Sequence, residues 1–362
     1  MRVKLKDITK FSKGTQINGK NLIDDGAYSY LNGGINPSGK WNEFNVAENT
    51  VTISEGGNSS GYVNYMNKAF WCGAHCYYLY DGPKNSKYLY YALKSQQERL
   101  FRIRSGACMP NIKKSDLGNF IIEYEEDETR QEEVVKVLEK CELLIEDYNK
   151  KLALLDEAVR ARFVEMFGDP IDNPMNWEKK KLQDIVTEDC TISYGIVQTG
   201  ENQKEGVPVF RPVDIVNHIP KVEELKKTTE SISNRYKKTL LKGHELLITV
   251  RANIADTFIV NDEYKGCNVG RGIVPIRTQE DIMLLEFLKC LIDNKHLNDI
   301  LKSKAKGITL IQLNMEDLRN IELVIPPIDL QAEYLKYSAL IDKSRLLSNH
   351  LLFLIKSISS NH

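Results

Sequence analysis

The sequence predicts an α+β chain in which two similar domains alternate with two long helices. Three observations carry that expectation. A forty-residue stretch from Glu128 to Phe167 has neither glycine nor proline, 329–360 is a second such stretch, and the segments leading into the two repeat each other. The expected division is a first domain over 1–125, a central helix over 126–168, a second domain over 169–327 and a C-terminal helix over 328–362. The two helices are expected to pair antiparallel as a coiled coil.

In the central stretch, apolar or semi-apolar residues recur at Val134, Leu138, Cys141, Ile145, Tyr148, Leu152, Leu155 and Val159. The steps alternate four and three, the heptad seam of a coiled coil, and Glu and Lys fill many of the intervening positions. Gly168 and Pro170 then stop the helix. At about 1.5 Å per residue the stretch makes a rod of roughly 60 Å, and its apolar stripe needs a partner. The C-terminal stretch offers Tyr334, Tyr337, Ile341, Leu347, Leu351, Leu354, Ile355 and Ile358, weakened by Ser344 and Ser348. Tyr337, Ile341, Leu351 and Ile355 are its seam. The competing reading packs each helix on its own domain only.

Gly106, Asp116, Leu117 and Asn119 recur as Gly307, Asp317, Leu318 and Asn320, offset by 201 each time. Each block runs into a short apolar strand, 120–122 or 321–325, and then a helix whose early residues include Gln131 or Gln331. The domain starts also agree, with Leu5, Asp7 and Ile8 against Leu182, Asp184 and Ile185. Such self-similarity marks a duplicated unit. Inside the domains, strands are expected at 51–53, 76–80, 245–250 and 272–276, and helices at 86–103 and 280–303.

The chain has 362 residues, 42% hydrophobic and 27% charged, with net charge −1. That length suits two or three domains. No apolar run is long enough to span a bilayer, and the N-terminus lacks the apolar core of a signal peptide. Seven scattered cysteines fit a reducing cytoplasm rather than a disulfide framework. The charge is unevenly distributed: residues 1–122 balance at +7, 123–175 at −9, 176–327 at zero and 328–362 at +1. Attraction to phosphate follows the local field, so the basic first domain suits nucleic acid, while the second depends on local clusters.

Catalytic motifs are sparse. Cys72, His75 and Cys76 lack the second Cys/His pair that a structural zinc site needs. Asp214, Glu224 and Lys226 are only loosely spaced like a nuclease centre that holds Mg²⁺. No Asn-Pro-Pro-Tyr turn, cofactor glycine loop or phosphate loop is present. Tyr88, Tyr90 and Tyr91 lie at helical spacing and read as a half-buried core face. No catalytic residue and no metal site is expected.

Trp177, Leu182, Asp184 and Ile185, then Leu247 to Ala255, then Gly307 to Pro327, together resemble the target-recognition domain of Type I restriction-modification specificity subunits. The resemblance covers essentially the whole chain in two copies. The first copy departs from it, with 53–58 rich in glycine where the second has Arg251 and Asn253, and with acidic 123–128 where the second has Ile325, Pro326 and Pro327. The resemblance implies a non-catalytic cytoplasmic subunit that reads a bipartite asymmetric site in double-stranded DNA. It implies docking of two modification (methyltransferase) subunits and of restriction (translocase and nuclease) subunits. No cofactor is expected on this chain; S-adenosylmethionine, ATP and Mg²⁺ would sit on the partners, and no membrane is involved. A catalytically active fused restriction-methylation enzyme and a protein-only coiled-coil adaptor are the alternatives.

Bases are read at their edges, Arg suiting guanine and Asn or Gln suiting adenine, while Lys grips phosphate. The candidate readers are therefore polar residues beside the matched segments. In the first domain they are Asn58, Ser59, Ser60, Arg102, Arg104, Ser105 and Asn111. In the second they are Arg251, Asn253, Arg271, Lys304, Lys306, Thr309 and Gln312. Arg104 and Arg251 lead the two sets.

Overall fold

A computed structural model describes residues 1–106, 108–216, 220–307 and 311–361. The chain forms two compact units, one of Met1–Lys150 with Ser348–His362 and the other of Lys151–Leu347.

The duplication holds for every paired strand but one, Lys10–Lys13 of the first unit, which has no counterpart strand among the described residues of the second. In the first unit Arg2–Lys4 pairs antiparallel with Ile121–Glu123, and in the second Glu178–Lys181 pairs antiparallel with Glu322–Ile325. Tyr28–Leu31 takes Gly39–Trp41 antiparallel and Phe70–Cys72 parallel; Val207–Phe210 takes Lys226–Thr228 and Asn268–Val269 in the same senses. The main sheet sets Thr50–Ser54 between Val63–Met66 and Cys76–Tyr80, with Lys10–Lys13 beyond the latter. Its counterpart sets Glu245–Thr249 between Thr257–Val260 and Ile273–Ile276.

These central strands are buried on both faces; Leu246, Leu247 and Ile248 therefore read as a continuous apolar run, whereas Thr52 and Ser54 interrupt the first strand although they are buried too. In the second unit the period-two alternation divides them between two cores. Leu246 and Ile248 join Leu285, Phe287 and Leu288, whereas Leu247 joins Phe210, Tyr264 and Val269.

The helices expected at 86–103 and 280–303 each break in two, into Ser86–Lys94 with Gln97–Arg102 and Leu285–Asp293 with Lys295–Ser303. Asn294 causes the second break. Its extended ψ of 131° ends one helix, and its side chain accepts from His296 N at 3.0 Å to cap the next. Tyr88 and Tyr91 are buried, consistent with a core face.

The central helix runs Glu128–Phe167 and the C-terminal helix Ile328–Asn361. Gly168 ends the first at φ 72°, its N–H reaching Val164 O at 2.8 Å, and a Cβ there would strike Pro174. Every expected seam residue from Val134 to Val159 is buried or half-buried, and from Leu138 to Leu155 each lies between exposed neighbours.

Within the second unit the helices pair antiparallel. Asp156 meets Arg345 at 2.6 Å, and Arg162 meets Glu333 at 2.8 Å. Phe163, Phe167, Phe287 and Tyr334 cluster between these helices and the Leu285–Asp293 helix, Phe163 stacked on Phe287 and the other cited pairs edge to face. The helices therefore pair with each other and also root in their domain. In the first unit Tyr91 OH donates to Glu142 at 2.9 Å, a second such root.

The C-terminal stripe needs correction. Leu347 and Leu354 are exposed, whereas Ser348 is fully buried. Buried Tyr334, Ser348 and Leu352 and half-buried Ser338, Ile341, Arg345 and Ile355 form an unbroken four-three heptad run in which three seam residues are polar. Tyr337 and Leu351 flank that run, half-buried, and the side chain of Ile358 lies outside the described residues. A search for apolar residues alone could not find a seam that polar residues share.

The Ser348 hydroxyl is buried without a hydrogen-bond partner among the described residues. Ser348→Ala is therefore expected to raise stability by about 1 kcal/mol. Phe167→Ala, which empties the aromatic cluster, is expected to lower it by about 3–5 kcal/mol. Urea midpoints of the two variants check both, and a destabilised Ser348→Ala would show that its hydroxyl has a partner after all.

Candidate nucleic-acid interface

In both units the central strand ends in a loop that two other segments meet. In the second, Val250 O accepts from Leu313 N at 2.9 Å, Lys306 and Gln312 exchange backbone hydrogen bonds at 2.9 Å, and Gln312 bridges to Arg251. In the first, Glu55 O accepts from Ile112 N at 2.9 Å, Ser105 and Asn111 exchange at 2.8 Å, and Asn111 bridges to Gly56. Gly56, Ser105 and Asn111 thus correspond to Arg251, Lys306 and Gln312. One scaffold presents two different sets of side chains.

A buried hydroxyl pins each loop. Thr249 Oγ1 donates to Asn253 O and accepts from Asp256 N, while Ala252 and Ala255 take left-handed φ of 63° to close the turn. At the corresponding position Ser54 Oγ donates to Gly33 O, and Ser59 Oγ reaches the same carbonyl at 2.5 Å.

Arg251 is half-buried, and its Nε has no hydrogen-bond partner among the described residues. A buried, unpartnered guanidinium nitrogen is costly and fits a group awaiting an acceptor. Arg104 differs. Its Nε donates to Phe101 O at 2.7 Å and its Nη1 to Asn58 O at 3.3 Å, and it lies over the Phe101 ring, so it ties two loops together. Asn58, Arg102, Asn111, Asn253, Arg271, Lys304 and Lys306 are exposed, and Ser59, Ser105 and Gln312 are half-buried.

Ser60 is a correction. It is fully buried and donates to Glu55 O at 2.7 Å, so it shapes the loop and cannot reach a base. Thr309 lies outside the described residues. The sequence reading also passed over Met109 and Ile311, exposed apolar residues near the loop tips, and the basic run Arg235, Lys237 and Lys238.

The weighed motifs fall elsewhere. Cys72 and Cys76 are buried with their thiols directed at backbone carbonyls, and His75 is exposed beside Glu55. Asp214 is engaged by Arg211 at 2.7 Å, and Glu224 accepts from Lys221 N at 3.2 Å.

An ionic knot anchors the start of the second central strand. The Glu245 carboxylate is fully buried, accepts three backbone N–H groups from Lys242, Gly243 and His244, and pairs with Arg277 at 3.1 Å. Arg277 also reaches Asp189 at 3.5 Å. Hydrogen bonds from Lys242 and Thr187, with Arg277 near, hold the Asp189 carboxyl well below its ordinary 3.8. A depressed folded value means that this stabilisation is present above the ordinary value and lost as pH falls through the folded one. Asp189→Asn is thus expected to flatten the decline of the urea midpoint below about pH 4. An identical acid limb in wild type and variant would refute the role of this carboxyl.

The sequence pattern described as the Type I restriction modification DNA specificity domain matches residues 1–156 and 174–351. A putative type I specificity subunit from Mycoplasma pneumoniae is 37% identical over 149 residues, covering 40% of this chain and 40% of that protein. One from Mycoplasma genitalium is 35% identical over 163 residues, covering 40% and 42%. The EcoBI specificity subunit of Escherichia coli is 23% identical over 222 residues, covering 61% and 47%. The chain therefore spans about two fifths to a half of the length of these curated relatives. Among solved structures, the S subunit of a Type I restriction-modification system from M. genitalium shares the fold, with TM-score 0.65, 19% identity and coverage of 100% and 94%. A chain from a structure of the type I R-M system gives TM-score 0.57 at 16% identity, covering 100% and 95%.

Proposed function

Because the chain belongs to the Type I restriction modification DNA specificity domain family, we propose that it is the non-catalytic subunit that reads a bipartite, asymmetric site in double-stranded DNA. Each domain would read one half. The observation that carries this reading is the duplicated loop constellation. Its backbone bridges match in the two units, while its outward residues are Gly56, Ser105 and Asn111 in one and Arg251, Lys306 and Gln312 in the other. A repeated frame with unlike side chains is what reading two unlike half-sites requires.

The chemistry assigns roles within the constellation. Arg251 is the guanine reader of the second domain, because a guanidinium can bind O6 and N7 together. Gln312 and Asn111 offer amides suited to adenine, and Lys304 and Lys306 suit phosphate. The long helices serve as the spacer and carry the docking surfaces for two modification subunits, which restriction subunits join. S-adenosylmethionine, ATP and Mg²⁺ belong to those partners. The family membership and the names of the relatives support this division of labour.

Selection of the full chain against randomised duplexes is expected to yield two short preferred blocks separated by a fixed gap. Arg251→Ala is expected to relax one block by about 1–3 kcal/mol of discrimination and leave the other intact. Equal loss in both blocks would remove Arg251 as a base reader, and recovery of no preferred sequence would defeat the whole reading.

A further inference from the structure

We propose that the second domain grips the phosphodiester backbone beside its base-reading loop through a cleft formed by Ser193, Tyr194 and the run Arg235 to Thr239, joined to Arg251 through Arg271. The inference rests on the DNA-reading function above and names a contact surface that the sequence reading did not find.

The cleft, of about 300 Å³, is lined by Arg235, Lys237 and Lys238 together with uncharged Ser193, Tyr194, Asn234, Tyr236 and Thr239, and by no acid. In a domain whose charges cancel, that composition needs a cause. Acidic residues elsewhere in the unit neutralise other bases: Asp189 and Glu245 hold Lys242 and Arg277, Asp214 holds Arg211, Asp293 holds Lys289 and Asp299 holds Lys295. Arg235, Lys237 and Lys238 have no acidic partner among the described residues, and all three are exposed. The overall neutrality therefore conceals a cationic cleft.

Buried polar groups fix the backbone that carries these cations. Asn268 is fully buried. Its Nδ2 donates to Ser233 Oγ at 2.9 Å and to Tyr236 O at 3.3 Å, and its Oδ1 accepts from Thr239 Oγ1 at 2.8 Å. Ser233 and Thr239 are themselves buried and bracket the basic run. The run is thus held at both ends and its middle, and its three charged side chains are left to solvent. Such pre-ordering lowers the entropy lost on binding.

The cleft also adjoins the reading loop. Ile196 N donates to Val269 O at 2.8 Å, an approach so close that a Cβ on Gly195 would overlap that carbonyl. This contact sets Tyr194 beside Arg271, whose guanidinium lies 5.9 Å from the Tyr194 ring. The next residue, Gly272, accepts from Val250 N at 2.8 Å, immediately before Arg251. Arg251 is thus flanked by Arg271 and the cleft on one side. On the other, the Gln312 bridge links it to Lys306. A base-reading residue between two cationic flanks matches a strand whose phosphates lie to either side of the base being read.

The test uses the full chain and its selected duplex. Each neutralised phosphate contributes about 0.9 to the slope of log affinity against log salt. Combined replacement R235A, K237A and K238A is expected to reduce that slope by about 2–3, with the selected sequence unchanged. The variant K237R/K238R, which keeps the charges, is expected to retain the wild-type slope, separating lost charge from lost folding. Inorganic phosphate is titrated in parallel. If the alanine variant loses phosphate binding but keeps the wild-type DNA slope, the cleft serves a free anion and the proposal is overturned. An unchanged slope without any phosphate binding, or a changed sequence preference, overturns it as well. Failure of the wild-type chain to select any sequence would instead count against the DNA-reading function itself.

Discussion

The aromatic cluster of Phe163, Phe167, Tyr334 and Phe287 is the constraint on which the second unit depends. It is the place where both long helices and the domain share one core. A helix carrying a single apolar stripe gains little from propensity alone; its stability comes from what it packs against. Here the end of the central helix and the start of the C-terminal helix each contribute rings to a core that already contains the central strand. Trp177 Nε1 donates to Phe167 O at 3.1 Å, and Gly168 turns the chain at the same point, so the helix end is fixed both by packing and by hydrogen bonds. A loop at the end of the central strand is thereby tied through one contiguous core to the helices.

The second layer of organisation is the separation of frame from message. Backbone bridges, not side chains, assemble the loop constellations, and a buried hydroxyl, Ser54 or Thr249, pins each loop. Side chains at Gly56 and Arg251, or at Ser105 and Lys306, can therefore differ without disturbing the strands beneath. Arg104 and Ser60 mark the limit of this freedom. Both sit in the constellation, yet the first ties two loops together and the second is buried under one.

The duplication and the helices were legible because they rest on long-range regularities. A gap of 201 between matched residues and an unbroken four-three rhythm survive in any reading of the residues. The failures have specific causes. The C-terminal seam was misplaced because Ser338, Arg345 and Ser348 occupy positions that an apolar search passes over. The break at Asn294 was missed because one asparagine can end a helix and cap the next without a glycine or proline to signal it. The run from Arg235 to Lys238 looked like ordinary surface because charge counts include every acid, whether or not it faces the bases it is counted against. Only the pairing pattern shows which cations remain free.

The polar seam is more than an error of reading. Two apolar stripes can slide past each other by a heptad at small loss, because one leucine resembles the next. Arg345 at a seam position is different: its Nε is buried, and its guanidinium meets Asp156, which lies on the central helix near Leu155. A slip of seven residues would part that guanidinium from Asp156 and leave the half-buried charge without its partner, which costs more than the loss of one apolar contact. A single polar seam residue is known to fix register in paired helices at some loss of stability. The half-buried Arg345 and the buried Ser348 of this seam therefore trade stability for one permitted alignment. In a chain proposed to read two half-sites at a fixed gap, alignment is the property the helices must hold.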